Sequence, residues 1–351
     1  MQDSVISRSK EVPTQAATKA VRIPALDFTK GVLVLFMVLY HWLNYFISPG
    51  GDLYRYLRFL TPSFIFITGF LISHVYCAKY GWPDKQVPKR LTIRGLKILG
   101  VFLLLNGAIA LIPGSPSRSI LAGNSLVDNL IAIFVTGNVA TESGKAASFG
   151  ILVPISYLLL ASALISISSK FFRYIFQSVC IAMFVCIFCL QPLSIHIINL
   201  EHLAVGSLGV VLGYTSNAGI RKLVSNPYLL GLAYCAYLSA ATIWDVPFAL
   251  RVVGVCLTLL VIYAVGDRSE KPAVSFAPVI LLGRYSLFGY IWQIAILQML
   301  HRLLSHGIPG IAGLITSFVA GFALTIAGVE AVDRLRPRWQ TLDQVYRYAF
   351  A

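Results

Sequence analysis

His41 lies in the middle of an apolar segment, residues 31–47, that is long enough to cross a lipid bilayer. An ionisable side chain at that depth costs free energy because hydrocarbon offers it no hydrogen-bond partner, so its default interpretation is functional. A neutral imidazole there can act as a general base. Lys30 stands at the entrance of the same segment, roughly 16 Å from His41 along a helix axis. The pair predicts chemistry that reaches into or across a membrane.

Charged residues crowd the start of this segment. Arg22, Asp27 and Lys30 stand within nine positions of one another, and the two cations could receive an anionic ligand at the mouth of the first helix. An anchoring role is the alternative, because Arg and Lys at helix entrances often extend to lipid phosphates.

A second basic group follows the second apolar run. Arg90, Arg94 and Lys97 have the i, i+4, i+7 spacing that places all three on one face of a helix. Guanidinium groups bind phosphate in a bidentate manner, so this face suits a polyphosphate such as the phosphates of coenzyme A. The ordinary excess of positive charge on cytoplasmic loops explains the same residues without a ligand.

Residues 194–202 form a polar connection between two apolar runs. Glu201 and His202 could form an acid/base pair for an acceptor on the outer side of the membrane, although His and Glu are also common in solvated loops. His196 adds a second imidazole, but no third histidine closes a zinc site, so no metal site is predicted.

Two further segments carry polar groups inside apolar runs. Ser63, Thr68, Gly69 and Ser73 in the second run permit close helix packing. Within the late segment 282–293, the side chains of Tyr290 and Gln293 carry polar groups that either support the site or form hydrogen bonds between helices.

The composition requires a membrane protein. Of the 351 residues 57% are hydrophobic and 12% are charged, about half the charged fraction of a soluble protein. The net charge of +14 is explained by basic cytoplasmic loops, and no basic–aromatic interleaving indicates nucleic-acid binding. The six cysteines fall within or beside apolar runs and are expected to be packing residues.

The apolar runs predict an all-α transmembrane bundle of about ten spans with both termini cytoplasmic. Leaving the weak stretch 126–136 uncrossed gives a strong cytoplasmic excess of Lys and Arg. Crossing it while leaving 203–216 uncrossed gives nearly the same excess, so charge alone does not separate these two arrangements. The short length and the polar residues of 126–136 favour the arrangement in which this stretch does not cross. The chain divides into a polar cytoplasmic tail (1–20), a transmembrane domain (21–333) and a basic cytoplasmic tail (334–351).

Four segments together resemble the membrane acyltransferase-3 family. Lys30 and His41 match a basic residue, ten intervening positions and a histidine, with Lys where Arg is commoner. Residues 64–73 are similar to the family's aromatic-rich Ser-Gly-Phe-Leu-Ile segment, 89–94 to its basic Arg-Leu-x-Arg-Ile segment, and 282–293 to its late Tyr-Leu-Trp-His segment. Gln293 occupies the place of the usual histidine there.

The resemblance implies an acyltransferase, and specifically an O-acetyltransferase, that uses acyl-CoA as co-substrate and holds no permanent cofactor. His41 would be the general base or a transient acyl carrier, and the donor phosphates would bind Lys30, Arg90, Arg94 and Lys97. The acceptor would be a hydroxyl of a glycan, glycolipid or small molecule of the cell envelope, and the location a bacterial inner membrane. The alternative is a proton-coupled transporter or flippase in which His41 relays protons.

Overall fold

The computed structural model describes residues 23–47, 52–77, 86–111, 126–138, 140–141, 144–145, 147–167, 172–244, 246–268, 276–304 and 310–350. The predicted tail 1–20 and Arg22 lie outside the described residues. Within the described residues the chain is helical, apart from a short antiparallel pairing of Ala140–Thr141 with Gly144–Lys145.

The helices follow the apolar runs of the sequence. In chain order they are α1 Pro24–Phe46, α2 Leu60–Leu71, α3 Gln86–Leu111, α4 Leu126–Ile131, α5 Leu152–Ile167, α6 Phe172–Leu190, α7 Ile198–Leu212, α8 Asn217–Leu223, α9 Pro227–Ile243, α10 Phe248–Arg268, α11 Ala277–Arg284, α12 Ser286–Leu304, α13 Ile311–Leu335 and α14 Gln340–Phe350. A 3-10 turn, Asp52–Leu57, leads into α2, and π-helical turns extend α2 over Ile72–Cys77 and α4 over Ala132–Thr136.

Seven helices of the described chain are long and apolar enough to cross a membrane: α1, the helix over Leu53–Cys77, α3, α6, α10, α12 and α13. α7 and α8 form an eighth candidate that bends by 110°. α5 and α9 are shorter apolar helices of 16 and 17 residues. The prediction of an integral-membrane, all-α bundle is therefore confirmed, whereas the count of ten spans and the cytoplasmic side of the termini stay predictions.

The weak stretch 126–136 folds as a short helix and a π-helical turn. Ten helical residues extend about 15 Å, half of a hydrocarbon core of about 30 Å. The Asn199 side chain donates to the carbonyls of Ile133 and Phe134, 3.1 Å each, at the carboxyl end of this stretch. Its length agrees with the prediction that it does not cross.

The late apolar run 278–300 differs from the sequence-based expectation of one span. It is divided at Tyr285 into α11 and α12. α11 packs against the beginning of α1 so closely that a Cβ at Gly283 would overlap the Asp27 carbonyl, and one at Gly31 would overlap the Val279 carbonyl. Arg284 and Ser286 flank the break, but hydropathy averaged over the whole run 278–300 does not show it.

The packing of α2 against α7 depends on glycine at both surfaces. A Cβ at Gly69 would overlap the backbone carbonyl of Gly206, and a Cβ at Gly209 would overlap the carbonyl of Phe66. Small residues let two backbones approach this closely, and packing of this kind drives helix association in lipid. The two helices are therefore held at a distance that larger side chains cannot reach.

The prediction that small residues of the second run serve helix packing is confirmed for two of the four. Gly69 faces α7, and the Ser73 hydroxyl donates to the carbonyl of Val210 at 2.5 Å. Ser63 and Thr68 instead donate to carbonyls four residues earlier in their own chain, at 2.7 and 2.9 Å. Those two hydroxyls therefore form their hydrogen bonds within their own stretch of chain and not with a neighbouring helix.

We expect Gly69→Leu to destabilise the bundle by about 1–3 kcal/mol, because the new side chain must displace backbone of α7. The temperature at which half of the detergent-solubilised protein loses monodispersity should fall. Gly100→Leu is the matched control, since a Cβ at Gly100 meets nothing within 4 Å. Equal thermal stability of the two variants would contradict the close α2–α7 contact.

Candidate active site

His41 lies on the side of α1 that faces the protein interior. Val34 and Val38, one and two turns earlier on the same face, are fully buried. The imidazole is half-buried, with its ring centroid 5.2 Å from that of Tyr40 and 6.4 Å from that of Tyr45. Protein groups, rather than lipid alone, therefore surround this titratable side chain.

A polar cavity of about 490 Å³ opens at the part of α1 that carries His41, although His41 itself is not among its lining residues. Tyr40 and Asn44, which stand on either side of His41 along α1, contribute to its wall, so the histidine lies next to the lining residues. The wall includes aromatic, amide, imidazole and guanidinium groups from four parts of the chain: Tyr40, Asn44, Tyr54, Leu57, Arg58, Thr61, Pro62, His202 and Arg251. The predicted acceptor-side residue His202 is thus brought to the same cavity as the α1 residues.

Glu201 faces a partner that the sequence did not indicate. Its side chain is 9% exposed and accepts a hydrogen bond from Arg251 Nη1 at 2.6 Å, and His196 Nδ1 lies 3.8 Å from its other oxygen. Adjacent helical residues do not face each other, so His202 lines the cavity while Glu201 holds Arg251. Glu201 therefore positions a cation of the cavity wall instead of pairing with His202.

Sequence reasoning missed Arg58, Arg251, Tyr40, Asn44 and Tyr54. One signal was available for Arg251, because it is a charge four residues inside the apolar run 247–266, where a charge indicates function by default. The other residues gave no signal, since Tyr and Asn are ordinary near the ends of membrane helices. Only the fold brings them within one cavity.

Tyr290 lies in an aromatic layer between helices. Its ring centroid is 6.0 Å from that of Phe64 and 5.8 Å from that of Phe149. Phe149 has a positive φ of 60°, which is strained for a bulky residue, and its neighbour Ser148 is held by two hydrogen bonds to the Asn106 side chain. A strained, pinned residue against Tyr290 is typical of a site whose geometry matters.

Gln293 is fully buried, away from the wall of the polar cavity. It lies one turn after Gly289. A Cβ atom placed on Gly289 would contact Val34 at 3.4 Å and Val329 at 3.7 Å, so neighbouring helices pack closely at this glycine. Within the described part of the chain neither atom of its amide has a hydrogen-bond partner. Because Gly289 meets Val34, this side of α12 faces α1, the helix that carries His41.

Lys30 and Asp27 pair with each other at the opposite end of α1. Lys30 Nζ lies 2.6 Å from the Asp27 carboxylate, and the two side chains are 20% and 14% exposed. An ammonium has three protons, so one short contact leaves two for a ligand. Asp27 therefore orients Lys30 and also offsets the positive charge that would attract an anion.

The cations of α3 lie at the same end as Lys30. Arg90 and Arg94 are exposed and Lys97 is half-buried on a continuous helix, as the spacing predicts. Arg94 Nη1 donates to the Tyr76 hydroxyl at 2.6 Å, and Lys97 Nζ donates to the backbone carbonyl of Arg347 at 2.9 Å. These contacts hold the basic face against the ends of α2 and α14.

The bundle thus has a basic end (Lys30, Arg94 and Lys97) and a cavity end (Arg58, His202 and Arg251). His41 lies between them, three residues before Asn44 of the cavity wall and eleven residues after Lys30. An imidazole in this position can accept a proton from a group that enters the cavity, while an anion binds at the basic end.

The comparison with known families agrees with this geometry. A family model described as an acyltransferase domain matches residues 23–330, which include His41, the cavity wall and the cations of α3 but not α14. No curated protein and no solved structure gives a significant match. The resemblance seen in the sequence motifs is confirmed, and the chain belongs to the acyltransferase-3 family of membrane acyltransferases.

Proposed function

We propose that the protein transfers the acyl group of an acyl-CoA, in the simplest case acetyl-CoA, to a hydroxyl of an envelope glycan or related acceptor. The observation that carries the proposal is the position of His41. It lies on α1 between Tyr40 and Asn44, which line a polar cavity of about 490 Å³, and a cluster of cations lies at the other end of the helix.

The donor would bind at the basic end. Coenzyme A carries a diphosphate and a further phosphate, and the Arg94 guanidinium has five N–H donors, of which one binds the Tyr76 hydroxyl. Arg90 extends the same face by one turn, and Lys30 adds an oriented ammonium. The pantetheine arm would enter between the helices and carry the thioester toward His41.

The reaction needs one proton acceptor and one leaving group. His41 takes the proton of the acceptor hydroxyl as its oxygen attacks the thioester carbon. The carbon–sulfur bond then breaks, the ester forms on the acceptor, and the imidazolium returns its proton to the departing CoA thiolate. Aromatic rings and fully buried valines beside His41 limit water, which would otherwise hydrolyse the thioester.

The cavity wall suits a polyhydroxylated acceptor. Phenol, amide, imidazole and guanidinium groups from Tyr40, Asn44, His202 and Arg251 offer both donors and acceptors, as sugar hydroxyls require. If the predicted orientation holds, this cavity faces away from the cytoplasm, where envelope glycans of a bacterial inner membrane are exposed.

We expect His41→Ala to lower acyl transfer by at least about 100-fold, because general-base catalysis typically contributes about 10²–10⁴-fold. The measurement compares the acyl esters on envelope glycans, by mass spectrometry, in cells that carry the wild type, the variant or no copy. His74→Ala is the matched control, since the ring nitrogens of His74 contact the Gly213 carbonyl and the Asn217 side chain, and none of these residues lines the cavity.

Wild-type ester levels in the His41→Ala cells would remove the histidine from catalysis. An acyl group covalently attached to His41 in donor-treated protein would replace the general-base step with acyl transfer through the imidazole. Movement of a polar solute across vesicles without any acylation would instead support the transporter alternative.

We expect the double variant Arg90→Ala, Arg94→Ala to raise the KM for acyl-CoA by about tenfold or more, because two phosphate-binding guanidinium groups are lost. Steady-state release of free CoA by protein in lipid nanodiscs gives KM and kcat separately. Lys222→Ala, an exposed cation on α8, is the control. A fall in kcat with an unchanged KM would exclude phosphate docking at these two residues.

A further inference from the structure

The side-chain amide of Gln293 is buried without a partner. The residue is fully buried on α12, and neither Nε2 nor Oε1 has a hydrogen-bond partner among the described residues. Buried amides are normally paired, because an unpaired buried donor or acceptor costs more free energy than a typical hydrogen bond contributes. Inside a membrane bundle that cost is not relieved by water. Such an amide therefore points to a partner that the described part of the protein does not supply.

Gln293 lies on α12 between two contacts that this helix makes with α1. Four residues before it, a Cβ at Gly289 would contact Val34 at 3.4 Å. Five residues after it, Gln298 Nε2 donates to the Tyr45 hydroxyl at 3.1 Å. Both contacts advance in the same direction along the two helices, so α1 and α12 run parallel here. The amide is therefore level with the stretch of α1 between Val34 and Tyr45.

His41 belongs to that same stretch of α1. Val34 is seven residues before it and Tyr45 four residues after it, and these spacings place all three side chains on one face of the helix. Since Gln293 is nearly midway between the two contacts, it lies within roughly one helical turn of the level of His41.

The arm of the proposed donor would pass this level. The cations proposed to bind its phosphates are at the basic end, and Lys30 is eleven residues before His41 on α1. A thioester that reaches His41 from the basic end, between the helices, arrives at the depth of the Gln293 amide.

The chemistry of the amide matches the chemistry of that arm. A carboxamide needs one partner that accepts a hydrogen bond and one that donates. An acyl-pantetheine carries both, because its thioester carbonyl oxygen accepts and the amide N–H nearest the sulfur donates. The carbonyl oxygen also gains negative charge when a hydroxyl attacks, and a positioned glutamine amide is one of the groups that stabilise such an oxyanion.

We propose that Gln293 is a catalytic residue whose Nε2–H donates to the thioester carbonyl oxygen, while its Oε1 accepts from the neighbouring pantetheine amide. As the acceptor oxygen attacks the carbonyl carbon, the amide stabilises the charge that develops on the carbonyl oxygen. No bond to the glutamine forms or breaks, and the proton passes to His41 as before. This inference rests on the proposed function for the identity of the thioester.

The test compares Gln293→Met with the wild type as purified full-length protein in nanodiscs. Met keeps the length of the side chain and removes the unpaired donor and acceptor, so the midpoint of thermal unfolding should rise. The kcat for release of CoA from acetyl-CoA should fall by about 100-fold, the lower part of the range for loss of one oxyanion donor. The KM for acetyl-CoA should change by less than about fivefold.

Gln298→Met is the matched control for stability, because it is the same substitution on the same helix. The Gln298 amide already donates to Tyr45, so its loss should not raise the midpoint. A glutamine that serves only the packing of α12 would behave like Gln298. A lower midpoint in Gln293→Met, or an unchanged kcat, would therefore overturn the inference.

Equilibrium binding separates this inference from the proposed function. The wild type should bind acetyl-CoA about fivefold more tightly than CoA, which lacks the carbonyl group, and Gln293→Met should bind the two equally. Equal affinities in the wild type would contradict the contact. The expected pattern without acyl transfer would keep the contact and remove the proposed function, whereas equal acyl transfer by the wild type and Gln293→Met would do the reverse.

Discussion

The structure depends on one constraint: an imidazole placed at membrane depth must be enclosed by protein. Hydrocarbon cannot satisfy its ring nitrogens, and His41 is accordingly turned toward the bundle, on the face of α1 that carries the buried Val34 and Val38. Rings of Tyr40 and Tyr45 stand beside it. Everything that shapes this enclosure, from helix spacing to the cavity wall, thereby shapes the environment of the histidine.

Helix α1 is positioned by contacts with residues far away in sequence. Its first turns meet α11 through backbone contacts at Gly31 and Gly283, and farther along Trp42 Nε1 donates to Ser317 of α13 at 2.9 Å. The remaining side of α1 faces the cavity, whose wall is completed by residues from before α2, from α7 and from α10. The buried Glu201–Arg251 pair fixes that wall, because removing either partner would leave an uncompensated charge.

The lengths of the apolar runs predicted the helical membrane bundle and the depth of His41. The spacing of the cations along the sequence predicted their shared face on α3. Each of these is a local property of the chain. The cavity wall was not predictable in this way, because Arg58 and Arg251 are 193 positions apart and only tertiary packing joins them. Hydropathy averaged over the run 278–300 did not show the break at Tyr285, and an ordinary loop sequence gave no sign of the strained Phe149. Gln293, a departure from the family motif, is fully buried and is not among the residues that line the cavity.

The central claim, that His41 lies between a donor end and an acceptor end on opposite sides of the membrane, is tested most directly by cysteine accessibility. In protein whose six native cysteines are replaced, Asn44→Cys and Lys97→Cys are each exposed to a membrane-impermeant thiol reagent in sealed vesicles of known orientation. The account predicts that Asn44→Cys reacts only from one side and Lys97→Cys only from the other. Reaction of both from the same side, or no reaction at Asn44→Cys from either, would contradict it.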